Sequence, residues 1–271
     1  MGFRLTRRVL LAVYAALIIV PLLVVVFGTF KTSEEIFRQP LSPPMAPSLD
    51  NYRQIFTDGS IGQAFGNSVT VTLLSVSLTL VVSAMTAFAV ARLPGWRGNL
   101  LYALFSFGMA VPAQANMIPQ YTLFDRIGLT DTLLGLVIVN CVVTMPVAVF
   151  VLGGFMKTLP RQIFEAAEID GARLRTQFLR LAVPLSAPSL AATAVFLFVM
   201  HWNDLLYPLL FIQDESLQTL PLRLLGFKGE YLTDYPLLFT GVVVASVPMV
   251  VAYVFLQRYF VAGITAGAVK G

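Results

Sequence analysis

Glu165, Glu168 and Asp170 lie close together in the chain, flanked by Arg161, Arg173, Arg175 and Arg180. Seven of the twenty residues from Arg161 to Arg180 are charged, in a chain of 271 residues with only 18 Lys and Arg and 14 Asp and Glu. Ala166, Ala167, Gly171 and Ala172 are interleaved with the acids and have almost no side chain. That combination suits close approach of another surface to the backbone, with flanking charges available for pairing. Other groups that could do chemistry are sparse. The single histidine, His201, tells against a His-rich catalytic or metal centre, and the single cysteine, Cys141, excludes an intrachain disulfide framework. A further set of polar residues falls inside apolar runs: Gln114, Asn116, Asn140, Asn203 and Asp204. An ionisable group at membrane depth is a functional candidate by default. Asp204 nevertheless lies sixteen residues past Pro188, roughly 24 Å of helix at ~1.5 Å per residue, which puts it near one membrane surface. Structural bonding next to Pro208 and a role in gating or ligand contact are both open to it. Trp202 could stack on a ligand ring or anchor at the interface.

The elements that position these residues follow from hydropathy. The chain is 57% apolar with a mean hydropathy of +0.80, and several uncharged stretches reach about 20 residues, enough to cross a bilayer. The expected fold class is an all-α integral membrane protein, one transmembrane domain over residues 1–271. Six spans are expected: Val9–Thr29, Ser68–Ala91, Leu100–Tyr121, Leu133–Met156, Leu185–Ile212 and Leu237–Leu256. The first follows Arg4, Arg7 and Arg8 and is too long for a signal-peptide core, so it reads as an uncleaved helix. Alternating loops place twelve basic residues on one side and six on the other. The positive-inside rule then puts both termini and the Glu165 segment in the cytoplasm. A formal charge of +4 without a basic stripe gives no sign of nucleic-acid binding. The proline-rich loop Phe30–Asn67 reads as a surface connector or a docking element. "LQTLPLRLLGF", too short to span, is expected to fold back on the outer face.

Within the charged segment, Thr158 is placed to cap a helix starting near Pro160. Ile163, Phe164 and Ala167 would share one face, with Glu165 and Glu168 away from it, until Gly171 stops or bends the helix. A second stretch would align Leu174, Phe178 and Leu181 opposite Arg173, Gln177 and Arg180, ending at Pro184. On these grounds alone, an amphipathic connector at the lipid surface and an insert for a partner's cleft both satisfy the pattern.

The spacing adds a resemblance. Glu165-Ala166-Ala167, then Asp170-Gly171-Ala172, Phe178 and Leu181-x-Val183-Pro184 resemble the EAA loop of ABC importer permeases, with Leu181 and Val183 as conservative departures. "HWNDLLYPLLF", "TLPLRLLGF" and "LQRYFVAGITAGAVKG" extend the likeness over nearly the whole chain, to the shorter permease subunit of carbohydrate importers of the maltose-transporter type. The resemblance implies a coupling helix, within residues 158–184, that sits in a groove of a separate ATP-binding subunit through Glu165, Ala166, Ala167, Asp170, Gly171 and Ala172. It implies a tail, residues 257–271, whose Ala268, Val269, Lys270 and Gly271 reach toward the ATPase interface. It also implies docking of a binding protein at Leu220, Pro221 and Leu222.

The expected setting is a bacterial or archaeal cytoplasmic (inner) membrane. Expected partners are a sister permease (a heterodimer), two ATP-binding subunits that use ATP and Mg, an extracytoplasmic sugar-binding protein and membrane lipid. The chain has no G-x-x-x-x-G-K-[ST] motif and no room outside the membrane for a catalytic triad, so it is expected to bind no cofactor or metal and not to be an enzyme by itself. Import of a polyol, sugar phosphate or glycerophosphodiester is not excluded by the sequence. An ATP-independent secondary transporter would usually show internal repeats and mid-membrane charges, for which Asp204 is a poor substitute.

Overall fold

The computed structural model describes the backbone of residues 2–57, 59–93, 95–227 and 233–268, and the side chains of those residues except 2–5 and 256–268. The helices, in chain order, are α1 (Gly2–Gly28), α2 (Ser33–Arg38), α3 (Asp50–Thr57), α4 (Ser60–Arg92), α5 (Trp96–Gly108), α6 (Met117–Arg126), α7 (Leu133–Met156), α8 (Arg161–Ile169), α9 (Leu174–Gln177), α10 (Val183–Leu185), α11 (Ala187–Trp202), α12 (Leu206–Phe211), α13 (Leu220–Leu225) and α14 (Tyr235–Ala268). Among the described residues there is no β-strand.

Four stretches are long and apolar enough to cross a membrane unbroken: Thr6–Gly28, Ser60–Arg92, Leu133–Met156 and Tyr235–Phe255. They coincide with the first, second, fourth and sixth expected spans, although α4 begins eight residues before Ser68. The third and fifth are bent pairs. Trp96–Gly108 and Ala113–Arg126 meet at 85°, and Leu174–Leu185 and Ala187–Trp202 at 75°; counting each pair as one span gives six. The continuous helix expected over Leu100–Tyr121 therefore breaks at Met109–Pro112. Pro112 has no N–H to donate and its ring would strike the carbonyl four residues back, so the chain re-forms as a 3-10 turn, Ala113–Asn116, before α6. The fifth span ends at Trp202, not Ile212. A continuing helix would drive the Pro208 ring into the Asp204 carbonyl, whereas restarting at Leu206 puts Pro208 in a first turn, where a missing N–H costs nothing.

The chain divides into two compact units. In the first (Met1–Gly66 with Thr219–Pro248), the apolar side chains of α1 are almost all exposed, as expected of a helix apolar all round whose solvent is lipid. Its end meets α14 at Gly28, where any Cβ would collide with the Phe239 ring. The Phe30–Asn67 loop is organised: buried Lys31 donates from Nζ to the Gln39 and Ser42 carbonyls at 2.7 and 2.6 Å. Asn51 Nδ2 donates to the Thr29 and Lys31 carbonyls. The "LQTLPLRLLGF" stretch forms α13, which turns Leu220, Leu222 and Leu224 into the interior, Leu224 lying against Gly241 of α14. The Leu220 and Leu222 side chains, expected at a docking surface, are used by α13 for its own packing. Pro221 is half-buried.

In the second unit (Asn67–Gln218 with Met249–Gly271), α7 is the centre, with Leu136, Val139, Val149 and Leu152 fully enclosed. On α4, Ser68, Thr72, Ser75, Thr79 and Ser83 are buried at helical spacing, small hydroxyl residues that let helices approach closely where lipid supplies no hydrophobic drive. Ala84 and Ala87 continue that face and pack with Leu152 and Met156 of α7. Tyr102 of α5 lies at 5.6 Å on Phe150 of α7 and over Gly153, where a Cβ would sit 3.2 Å from the ring.

Candidate functional site

The charged segment folds as a short helix and a bent approach to α11. Thr158 does not cap α8, as the sequence suggested; its Oγ donates back to the Phe155 carbonyl at 2.7 Å, and Pro160 holds the Ncap position with no side-chain bond. The other end is a Schellman stop: Ala172 N–H reaches the Ala167 carbonyl at 2.8 Å and Gly171 N–H the Glu168 carbonyl at 3.0 Å. Gly171 adopts φ +76°, the left-handed conformation this motif requires and glycine supplies without strain.

Only one side of α8 is covered. Phe164, 4% exposed, packs near Phe88 of α4 and lies under the Arg92 guanidinium, 4.9 Å from the ring centroid. Arg92 also pairs with Glu168. Ala167 is half-buried, while Ile163, Glu165, Ala166 and Asp170 are exposed and Ile169 is 87% exposed. The expected shared face of Ile163, Phe164 and Ala167 thus loses Ile163 to the open side.

The second stretch departs further. Phe178–Ala182 winds as a π-helical turn, and widening there gives the Pro184 ring room against the carbonyl four residues earlier. The register slips, so Gln177 is 1% exposed and donates to the Ala172 carbonyl at 3.1 Å, while Leu174 faces out.

A second constellation lies where the bent pairs meet α7. A small cavity of about 130 Å³ is lined by Gln114, Asn140, Thr144, His201, Asp204 and Tyr207, among others. Thr144 Oγ donates to the Asn140 carbonyl at 2.7 Å and lies 3.2 Å from His201 Nε2. Its one proton being spent, it accepts from His201 Nε2–H, which leaves Nδ1 buried without a partner. Asp204 Oδ1 accepts from Leu206 and Tyr207 N–H at 3.1 and 3.4 Å, holding the start of α12. Its Oδ2 is buried with no partner. Tyr207 donates to Gln120 Oε1 at 2.7 Å.

The structure thus brings Gln114, Asn140 and Asp204 together. Asn116 is exposed on the 3-10 turn, and Asn203 donates to the Val199 carbonyl at 2.8 Å. Trp202, 3% exposed, stacks on Phe198 at 5.8 Å, so no face is left to a sugar or the membrane surface. His201 and Thr144 are the members the sequence reading missed. His201 stands three residues before Asp204, and that spacing was the available signal. Ala268 is the last residue of α14, its side chain outside those described, and Val269, Lys270 and Gly271 lie outside the described residues altogether.

Comparison with known proteins gives a consistent result. Residues 79–266 match the family of binding-protein-dependent transport system inner membrane components. The multiple sugar-binding transport system permease protein MsmG of Streptococcus mutans is 35% identical over 97% of this chain and 96% of its own length. The arabinooligosaccharides transport system permease protein AraQ of Halalkalibacterium halodurans is 33% identical over 96% and 94%. In fold, the chain superposes with a TM-score of 0.79 on a chain from a bacterial ABC transporter involved in the import of the acidic polysaccharide alginate, at 20% identity over 95% of this chain and 96% of that one. With six possible spans, a charged helix interposed between the fourth and the fifth, and a family match over most of its length, the chain belongs to the binding-protein-dependent transport system inner membrane components.

Proposed function

We propose that the chain forms half of the translocation pathway of an ATP-driven importer of sugars or oligosaccharides and couples to separate ATPases through α8. The other half of the pathway is a sister permease. Two ATP-binding subunits, which use ATP and Mg, sit beneath, and an extracytoplasmic binding protein delivers the sugar. Both termini and residues 158–184 are cytoplasmic, and the tail from Ala268 to Gly271 reaches toward the ATPase interface. The observation that carries the reading is the asymmetry of α8: Phe164 fixes one face, and Glu165, Ala166 and Ile169 are left outward for a partner's groove. The sugar class is supported by MsmG and AraQ, whose names describe sugar-binding and arabinooligosaccharide transport systems. Orientation is supported by the twelve-to-six excess of basic residues on the α8 side.

Closure of the ATPases on ATP displaces α8, and the bent fifth span carries that displacement toward the polar cavity of Gln114, Asn140, His201 and Asp204. Each ligand shifts the equilibrium only by its differential affinity for the inward- and outward-open states. The test is Glu165→Lys in the reconstituted complex. The variant is expected to insert and assemble with its sister permease but to lose substrate-stimulated ATP hydrolysis by tenfold or more, about 1.4 kcal/mol of coupling. Normal stimulation in that variant would rule out Glu165 as a coupling contact.

A further inference from the structure

A larger cavity, about 570 Å³, lies on the covered side of α8. Its lining is mostly polar and includes Arg92, Lys157 and Arg161, with Phe88 and the nearly buried Val90 and Met156 behind them. The only acid paired there is Glu168, which takes Arg92; Lys157 and Arg161 have no acid partner among the described residues. Lys157 is held in place by two contacts, 4.0 Å above the Tyr102 ring and 3.3 Å from Asn99 Oδ1, and an ammonium has donors left after one such bond. Arg92 Nε is buried without a hydrogen-bond partner.

Two helix starts border the cavity. α5 follows Gly95 and α8 follows Pro160; neither has a side-chain cap bond or an acid in its first turn, and α8 begins with Arg161. Exposed N–H groups and the positive end of the dipole favour an anion at such a point, and a cation there is unfavourable until one arrives. The turn that closes the cavity is built for close approach: at Gly98 a Cβ would lie 2.7 Å from the Val90 carbonyl oxygen and 2.9 Å from that of Leu93.

The location selects the anion. The C-terminal ends of α4 and α7 and the start of α5 meet here, all at span ends and therefore at the level of lipid headgroups. Trp96, 69% exposed beside the cavity, is the amphipathic ring typical of that level. On α8 the cavity takes Arg161, one turn before Glu165, so the two proposed contacts lie side by side. We propose that this cavity binds the phosphate of an anionic phospholipid headgroup, with Lys157 and Arg161 as its principal ligands. This site stands independently of the transport reading.

Native mass spectrometry of the purified full chain tests it, with phosphatidylglycerol and phosphatidylcholine of identical acyl chains as probes. Phosphatidylglycerol adducts should be retained preferentially, and the preference should fall about fivefold for each cation neutralised in Lys157→Gln and Arg161→Gln. The charge-conserving pair Lys157→Arg with Arg161→Lys should keep it, which separates loss of the site from loss of the fold. Equal retention of the two lipids, or a preference unchanged in the doubly neutralised chain, overturns the proposal. Displacement of the lipid by millimolar inorganic phosphate would reassign the site to a soluble phosphate. Loss of the adduct on adding the ATP-binding subunits would reassign it to an acidic side chain of the partner.

Discussion

The segment Arg161–Ala182 and the cavity around Asn140 and Asp204 belong to the same compact unit but are assembled in opposite ways. The segment is one continuous stretch whose open face consists of neighbours on a single short helix, α8, exposed because Phe164 alone is drawn inward. The cavity draws Gln114 from a break in the third span, Asn140 and Thr144 from the unbroken α7, His201 from the end of α11 and Asp204 from the link to α12. Contacts made by a linear helix depend on spacing and a well-placed stop. Contacts made by a cavity between several helices depend on where helices break. The two regions should therefore fail differently when disturbed, the first in coupling to ATP and the second in handling substrate.

The largest effect expected after that of Glu165→Lys is at Gly171. A side chain held at φ +76° costs about 1–2 kcal/mol, more for a β-branched residue, and in Gly171→Val the end of α8 would unwind to relieve it. Substrate-stimulated ATPase should fall by about tenfold, while equilibrium binding of substrate to the permease pair stays unchanged. Gly171→Asn, which tolerates the left-handed region, should retain most of the activity. A Gly171→Val complex that lost substrate binding and kept coupling would erase the distinction between the two regions.

Thr144→Val tests the other side. It preserves shape but leaves His201 Nε2–H without its acceptor and frees the Asn140 carbonyl. Inside a membrane such a bond contributes about 0.6 kcal/mol on average and at most about 1.7, so the melting temperature in detergent should fall by a few degrees at most. The expected functional change is in the substrate concentration dependence of uptake, with ATPase coupling intact. Loss of coupling comparable to that of Gly171→Val would mean that the cavity belongs to the force-transmitting path.

The same difference in construction explains what the sequence made legible. The spacing from Glu165 to Pro184 located the segment, and Gly171 its stop, because a short helix is governed by local rules. Gln177 was assigned to the outer side because a uniform helical period was assumed; the π-helical turn at Phe178–Ala182, forced by Pro184, adds a residue to the turn and rotates Gln177 inward. The third span was read as straight although Pro112 marks the break, since an apolar run long enough to span looks the same whether it crosses or bends. In the sequence His201 stands as a single histidine. Its meaning comes from Thr144, 57 positions earlier, a pairing that only the packing of α11 on α7 creates.

The smallest expected effect concerns the link between α8 and α4. Arg92 pairs with Glu168 and lies over Phe164, but the two charged side chains are 21% and 51% exposed, so solvent screens much of their attraction. A double-mutant cycle with Arg92→Gln and Glu168→Gln should give a coupling energy below about 1 kcal/mol, weakening with added salt. Arg92→Gln alone should cost more than Glu168→Gln, by about 0.5–1 kcal/mol for the lost contact with the ring. A cycle energy of several kcal/mol would mark a rigid latch, and α8 would then move only as one body with α4. A weak link is what the comparison requires: Phe164 keeps α8 seated through packing, while the ion pair yields at small cost when a partner pulls on the open face.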